Sequence, residues 1–354
     1  MEKRARILFL DYLRVIAIFM VLVVHSVELF YLGDSGLSML PQNQFWVNII
    51  NSTVRSCVPL FVMVSAYLLV PTSEEMGSFY KKRFKRILIP FALWSLVYAA
   101  SPLIYDPNAI VSSNFIELLH NFNMLAGHLW FVYMLVGVYF IIPIISPWLK
   151  QAPKKSIELF LLIWAVTLFH HFVKFIYPQG WFGECHWNEF TSFYYFSGYI
   201  GYVVLGFYLR KHLQLSLRKQ RVYGALLFSI GLLLTFVLMD YTMTTQTTVY
   251  AFEIPWRFCT PNIALMALGA FMFIKSFSFE NSKLNRPIAK LSKWSYGVYL
   301  IHLLFLPQIF IHLVSGLSLP TPLAILLNAI LTFVVSNIIV ALLSKLPKGK
   351  YIIG

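Results

Sequence analysis

Apolar runs of about 20 residues recur ten times along this chain, near residues 7–32, 45–70, 87–105, 129–149, 157–177, 190–209, 221–240, 257–275, 292–314 and 322–344. A hydrocarbon core about 30 Å thick is crossed by about 20 residues of α-helix, and backbone amides facing lipid must be paired within their own segment. The pattern therefore predicts an all-α polytopic membrane protein with about ten transmembrane helices. Composition agrees: of 354 residues, 59% are hydrophobic, 17% aromatic and only 12% charged, a balance foreign to ordinary soluble domains. The first run follows Met-Glu-Lys-Arg-Ala-Arg and imitates a secretory leader. Its apolar stretch is too long and lacks a small-residue cleavage site, so a retained helix is expected.

Orientation follows from the cations. Of the 28 Lys and Arg residues, 24 fall in the N-terminal segment, in alternate connections and in the C-terminal tail. Cytoplasmic loops carry such an excess, so both termini are predicted to be cytoplasmic. The net charge of +14 is thereby used in setting topology, and a nucleic-acid partner loses its motive. Three cysteines with no metal-binding spacing predict neither a disulfide framework nor a zinc site. With no repeat or low-complexity tract, residues 1–354 are expected to form one integral-membrane domain.

The four remaining cations, Arg14, Arg55, Lys174 and Arg257, lie inside or at the edge of a span. The first span is the most heavily charged, with Asp11, Arg14, His25 and Glu28. Intramembrane ionisable groups are costly and mark pathways or sites. At about 100° per residue, Arg14 and His25 fall within about 20° of one another on the helix and about 16 Å apart along it. Asp11 and Arg14 are i, i+3 neighbours, and Glu28 stands three residues beyond His25, able to orient its imidazole. The bland alternative is snorkelling at the helix ends and a histidine that only bridges helices.

Four segments in order carry a resemblance. Asp11-Tyr12-Leu13-Arg14 followed ten residues later by His25 is the first, and KKRFKRILIPFALW, with Arg83 and Arg86 in an R-x-x-R, the second. HLWFVYMLVGVYFIIPII and WSYGVYLIHLLF, the latter with Ser295, Tyr299 and His302, complete the set. From residue 8 to about 305 the chain resembles the integral-membrane acyltransferase-3 family. That resemblance implies transfer of an acyl group, commonly acetyl from acetyl-CoA, to a hydroxyl of a cell-surface carbohydrate or its lipid-linked precursor at the bacterial inner membrane. Some members carry a further periplasmic hydrolase-like domain; none is expected here.

Acyl transfer from a thioester needs a base for the attacking hydroxyl and stabilisation of the oxyanion. His25 suits the base, with Glu28 or Asp11 to hold its tautomer and Arg14 on the same face. Lys82, Arg83, Lys85 and Arg86 offer charge and bidentate geometry to the phosphates of acyl-CoA. The plain alternative is a topology signal or anionic-lipid contact. His128, Trp130, Tyr299, His302 and Arg257 are candidates for substrate contact. Their alternatives are an interfacial anchor, interhelical hydrogen bonds and a pair between Arg257 and Glu253. His170, His171, Glu184 and His186 fit no metal-ligand spacing, and no metal is expected. Direct transfer and a covalent acyl-enzyme both stay open. The second functional reading is an exporter of a carbohydrate or lipid-linked sugar along the same polar path.

Overall fold

The computed structural model describes residues 6–33, 35–120, 124–177, 196–280 and 282–354. The helices run in order as α1 (Leu8–Glu28), α2 (Gln44–Val54), α3 (Cys57–Leu69), α4 (Met76–Ala100), α5 (Ser112–His120), α6 (Trp130–Gln151), α7 (Lys154–Thr167) and α8 (His170–Ile176). They continue as α9 (Ile200–Lys211), α10 (Leu217–Thr245), α11 (Val249–Phe252), α12 (Pro261–Lys275), α13 (Asn285–Ile309), α14 (Thr321–Leu343) and α15 (Lys350–Ile353). The described strands are a two-residue pair, β1 (Leu32–Gly33) and β2 (Gly36–Leu37), where Gly36 takes the positive φ of 128° that a side chain would resist.

Among the described residues, nine helical stretches are long and apolar enough to cross a membrane. They coincide with nine of the ten expected windows, so the chain is an integral membrane protein of helical type. The remaining window, 190–209, begins outside the described residues, and its described part is α9.

The contacts divide the chain into two compact units, Met1–Thr72 with Ile145–Ala289, and Ser73–Ile144 with Lys290–Gly354. In the first, α1 packs on α2, α3 and α12, while α3 packs on α9. Leu13, Ala17, Ile18, Leu22 and Val27 of α1 are buried completely or nearly so. α10 and α12 approach most intimately because glycines line their seam. A Cβ on Gly224 would stand 2.7 Å from the Phe273 nitrogen, and one on Gly231 2.6 Å from the Asn262 carbonyl oxygen. Without a hydrophobic force between helices in lipid, such close backbone contact is what drives association.

The second unit is tied by side chains that donate to helix carbonyls. Tyr296 donates to Ile87 O at 2.8 Å, Tyr98 to Leu300 O at 3.0 Å, Tyr80 to Phe140 O at 2.8 Å and Trp94 Nε1 to Ile352 O at 2.8 Å. The start of α4 is capped by Glu75, which accepts from Gly77 N at 2.8 Å and Ser78 N at 2.7 Å. Those two amides hold the Glu75 carboxylate below its ordinary range, because they bond to the charged form.

Candidate active site

The polar end of α1 opens into a network confined to the first unit. His25 Nδ1 and Glu28 Oε2 are 2.6 Å apart, with side chains only 17% and 26% exposed. When Nδ1–H donates to the carboxylate, the lone pair of the neutral imidazole lies on Nε2. Of the two carboxylates weighed for this task, Glu28 makes the contact. Asp11 is buried near the other end of α1 and is bound by the Arg6 guanidinium, whose Nη2 lies 3.1 Å from Asp11 Oδ1 and also donates to Ala289 O at 2.8 Å. Arg14 is half-buried on the same helix.

Beyond Glu28 the network recruits Arg55, Tyr31 and Glu253, none of them among the expected site residues. Arg55, in the connection between α2 and α3, is buried and interacts electrostatically with Glu28, Tyr31 and Glu253. Its Nη2 donates to Tyr31 Oη at 3.3 Å, and Tyr31 donates to Glu253 Oε1 at 2.6 Å. Burial pushes the Tyr31 hydroxyl well above the usual tyrosine range, so it stays protonated and available as that donor. The Arg55 guanidinium also lies 4.9 Å from the Trp256 ring centroid. An arginine inside an apolar window was the visible signal; its partners, Tyr31 and Glu253, are far away in sequence.

The Glu253–Arg257 pair suggested by i, i+4 spacing is not among the ion pairs of the described residues. α11 ends at Phe252, residues Ile254–Trp256 tighten into a 3-10 turn, and Arg257 is extended at φ −66° and ψ 137°, so the two do not share a helical face. Arg257 instead covers the Tyr250 ring at 4.0 Å.

The basic cluster lies on the first turns of α4, in the second unit. Lys82 Nζ is 3.0 Å from Glu74 Oε2 and Arg83 Nη2 is 3.6 Å from Glu74 Oε1, so one carboxylate already engages two of the four cations. Arg83 lies over the Phe79 ring at 5.2 Å, and Lys85 is 5.3 Å from the Tyr351 ring. Arg86, i+3 from Arg83 on α4, shares its face of the helix.

The same unit gathers most of the later candidates. His128 and His302 meet ring to ring at 4.9 Å, both buried, with Tyr98 5.1 Å and Tyr299 5.5 Å from His128. Tyr299 donates to His128 O at 2.6 Å, and His302 Nδ1 is 2.6 Å from Tyr299 O. Trp130, half-buried, sits 6.3 Å from Phe131. Among the described residues no group of three or more His, Cys, Asp and Glu is placed to hold a metal ion. The His170 and His171 rings are tilted at 58° with centroids 5.7 Å apart, while Glu184 and His186 lie outside the described residues.

The acyltransferase-3 family model, described as an acyltransferase domain, matches residues 7–343. No curated protein and no solved structure matches the chain.

Proposed function

Because the chain belongs to the acyltransferase-3 family and is therefore a membrane acyltransferase, we propose that it moves an acyl group, the acetyl of acetyl-CoA, to a hydroxyl of a cell-surface carbohydrate or its lipid-linked precursor, with His25 as general base. The observation that carries this reading is the 2.6 Å contact between His25 Nδ1 and Glu28 Oε2 within a membrane-spanning helix. Nε2 takes the proton of the acceptor hydroxyl as its oxygen attacks the thioester carbonyl. The tetrahedral intermediate then expels the CoA thiolate, and the imidazolium returns its proton to that sulfur. Glu28 stabilises the imidazolium between those two events.

The donor's phosphates are assigned to Lys82, Arg83, Lys85 and Arg86, because two arginines three residues apart present planar forks suited to phosphate oxygens. Glu74 would have to yield Lys82 and Arg83 for this to happen. His128, Trp130, Tyr299, His302 and Arg257 remain assigned to substrate contact. We place the protein in a bacterial inner membrane with both termini cytoplasmic, since the cations alternate from loop to loop. We treat residues 1–354 as one catalytic domain, supported by a family match that runs through every boundary between the two compact units.

The test is single-turnover transfer from acetyl-CoA, with wild type and His25→Ala compared for rate, thermal stability and donor affinity. Loss of transfer by about 10²-fold or more, with the other two preserved, is expected for a base. A folded His25→Ala protein with full transfer overturns the mechanism.

A further inference from the structure

The stretch Pro41–Leu69 counts as one membrane span, yet it is not one helix. α2 stops at Val54, and α3 resumes at Cys57 after the two-residue pause Arg55–Ser56. Interrupted spanning helices are tolerated where the pause is buried in protein or faces a polar site.

Four buried side-chain atoms at this pause have no hydrogen-bond partner among the described residues. They are Oδ1 and Nδ2 of Asn51, Nε of Arg55 and Oγ of Ser56. Asn51 and Ser56 are completely buried. Asn51 and Arg55, i and i+4, lie on one face of the helix end. The same helix shows what a structural amide does instead. Asn48 Nδ2 donates to Phe236 O at 3.0 Å and Asn48 Oδ1 accepts from Ser52 Oγ at 3.0 Å, while Ser52 accepts from Trp256 Nε1 at 2.9 Å. Asn48 and Ser52 are used up in holding the fold; Asn51, one residue before Ser52, is not. Buried polar groups left unmatched are costly and call for a ligand or a solvent partner.

We propose that the pause in the second span is a binding subsite for a neutral ligand with neighbouring hydroxyl groups, held by Asn51, Ser56 and Arg55, the last of which joins it to the network of Glu28, Tyr31 and Glu253. The amide offers two donors and an acceptor, the serine one donor and acceptance, and the guanidinium nitrogen one donor. Adjacent hydroxyls donate and accept at neighbouring atoms and so can saturate all of them. An anion would meet Asn51 Oδ1 with lone pair against lone pair. It would also add negative charge where Glu28 and Glu253 already act on the single Arg55. The proposal rests on the acyltransferase reading only in making this ligand the acceptor, whose hydroxyl His25 would deprotonate.

The probe is a set of hexyl pyranosides, gluco, galacto and manno, with singly deoxygenated analogues, titrated calorimetrically into full-length protein in nanodiscs without acyl-CoA. At least one parent glycoside should bind saturably, and a deoxygenated analogue should bind about tenfold more weakly, the loss expected for one neutral hydrogen bond. Asn51→Leu and Ser56→Ala should each weaken the parent by a similar factor and shrink that discrimination. Asn51→Leu should at the same time raise the Tm of the ligand-free protein, because an apolar group of similar volume replaces an unmatched amide. A merely structural amide would lose stability instead. Should Asn51→Leu fail to fold, Ser56→Ala decides alone, since it removes only an oxygen. Unchanged affinity in the variants, or no saturable binding of any parent glycoside to wild type, overturns the subsite. Acyl transfer surviving in His25→Ala would overturn the proposed mechanism instead, leaving the binding result standing.

Discussion

In the proposed mechanism Glu28 orients His25: its carboxylate lies 2.6 Å from Nδ1, which assigns the base role to Nε2. Glu28→Gln keeps a hydrogen-bond acceptor but removes the charge that stabilises the imidazolium, so single-turnover transfer should fall about 10²-fold with donor affinity unchanged. The basic cluster makes a prediction of opposite form. Arg83→Ala with Arg86→Ala should weaken acyl-CoA binding, and lysines should restore it only in part, since the planar fork is lost. Glu74→Gln should strengthen it by freeing Lys82 and Arg83, which one carboxylate now engages. Equal CoA affinity in all of these proteins, measured by equilibrium binding, would reduce the cluster to a topology signal. The His25–Glu28 pair was legible in the sequence because i, i+3 spacing on a helix dictates proximity. Arg55 was visible only as a cation within an apolar run. Its engagement with Tyr31 and Glu253 depends on tertiary packing between segments about 24 to 200 residues apart, which no local period encodes.

At the scale of elements, the apolar windows were readable because lipid imposes one requirement on every span. The helix seams were not, since they depend on which glycines face one another. Gly224 and Gly269 lie on α10 and α12, and a Cβ on Gly224 would stand 2.8 Å from the Gly269 carbonyl oxygen. Gly224→Ala should therefore destabilise the protein by about 1–3 kcal/mol, the usual range for overpacking. Gly137, whose added Cβ would meet nothing within 4 Å, is the control that should tolerate alanine. The cap on α4 adds a pH signature. Its carboxylate is held below the ordinary value, so its contribution is present above the unfolded-state pKa of about 4.5 and is lost as pH falls through the lower folded value. Glu75→Gln should remove that acid-sensitive part, so the difference in Tm between wild type and variant should narrow below about pH 4.5. A constant difference down to pH 3 would show that the cap bonds matter little.

For the whole molecule the open quantity is parity. Nine described spans would place the termini on opposite sides of the membrane, whereas ten place them on the same side, and the deciding window is 190–209. Its described part, α9, is 12 residues long and by itself about 18 Å of helix, shorter than a hydrocarbon core. The positive-inside pattern predicts a crossing there. Lys150, Lys154 and Lys155 precede the expected pair of spans, and Arg210, Lys211, Arg218, Lys219 and Arg221 follow it, so positive loops sit on one side only if both spans cross. Single cysteines at positions 154, 218 and 283, in a background lacking Cys57, Cys185 and Cys259, convert this into a measurement. With ten spans all three should react with a membrane-impermeant maleimide only after the cytoplasmic face is opened, while cysteines at Asn108 and Gln246, in the cation-poor connections, should react in intact cells. If 190–209 does not cross, positions 154 and 218 must label from opposite sides, whichever face is which. That outcome would also displace the α10–α12 hairpin from its expected orientation, because every connection after residue 209 would exchange sides.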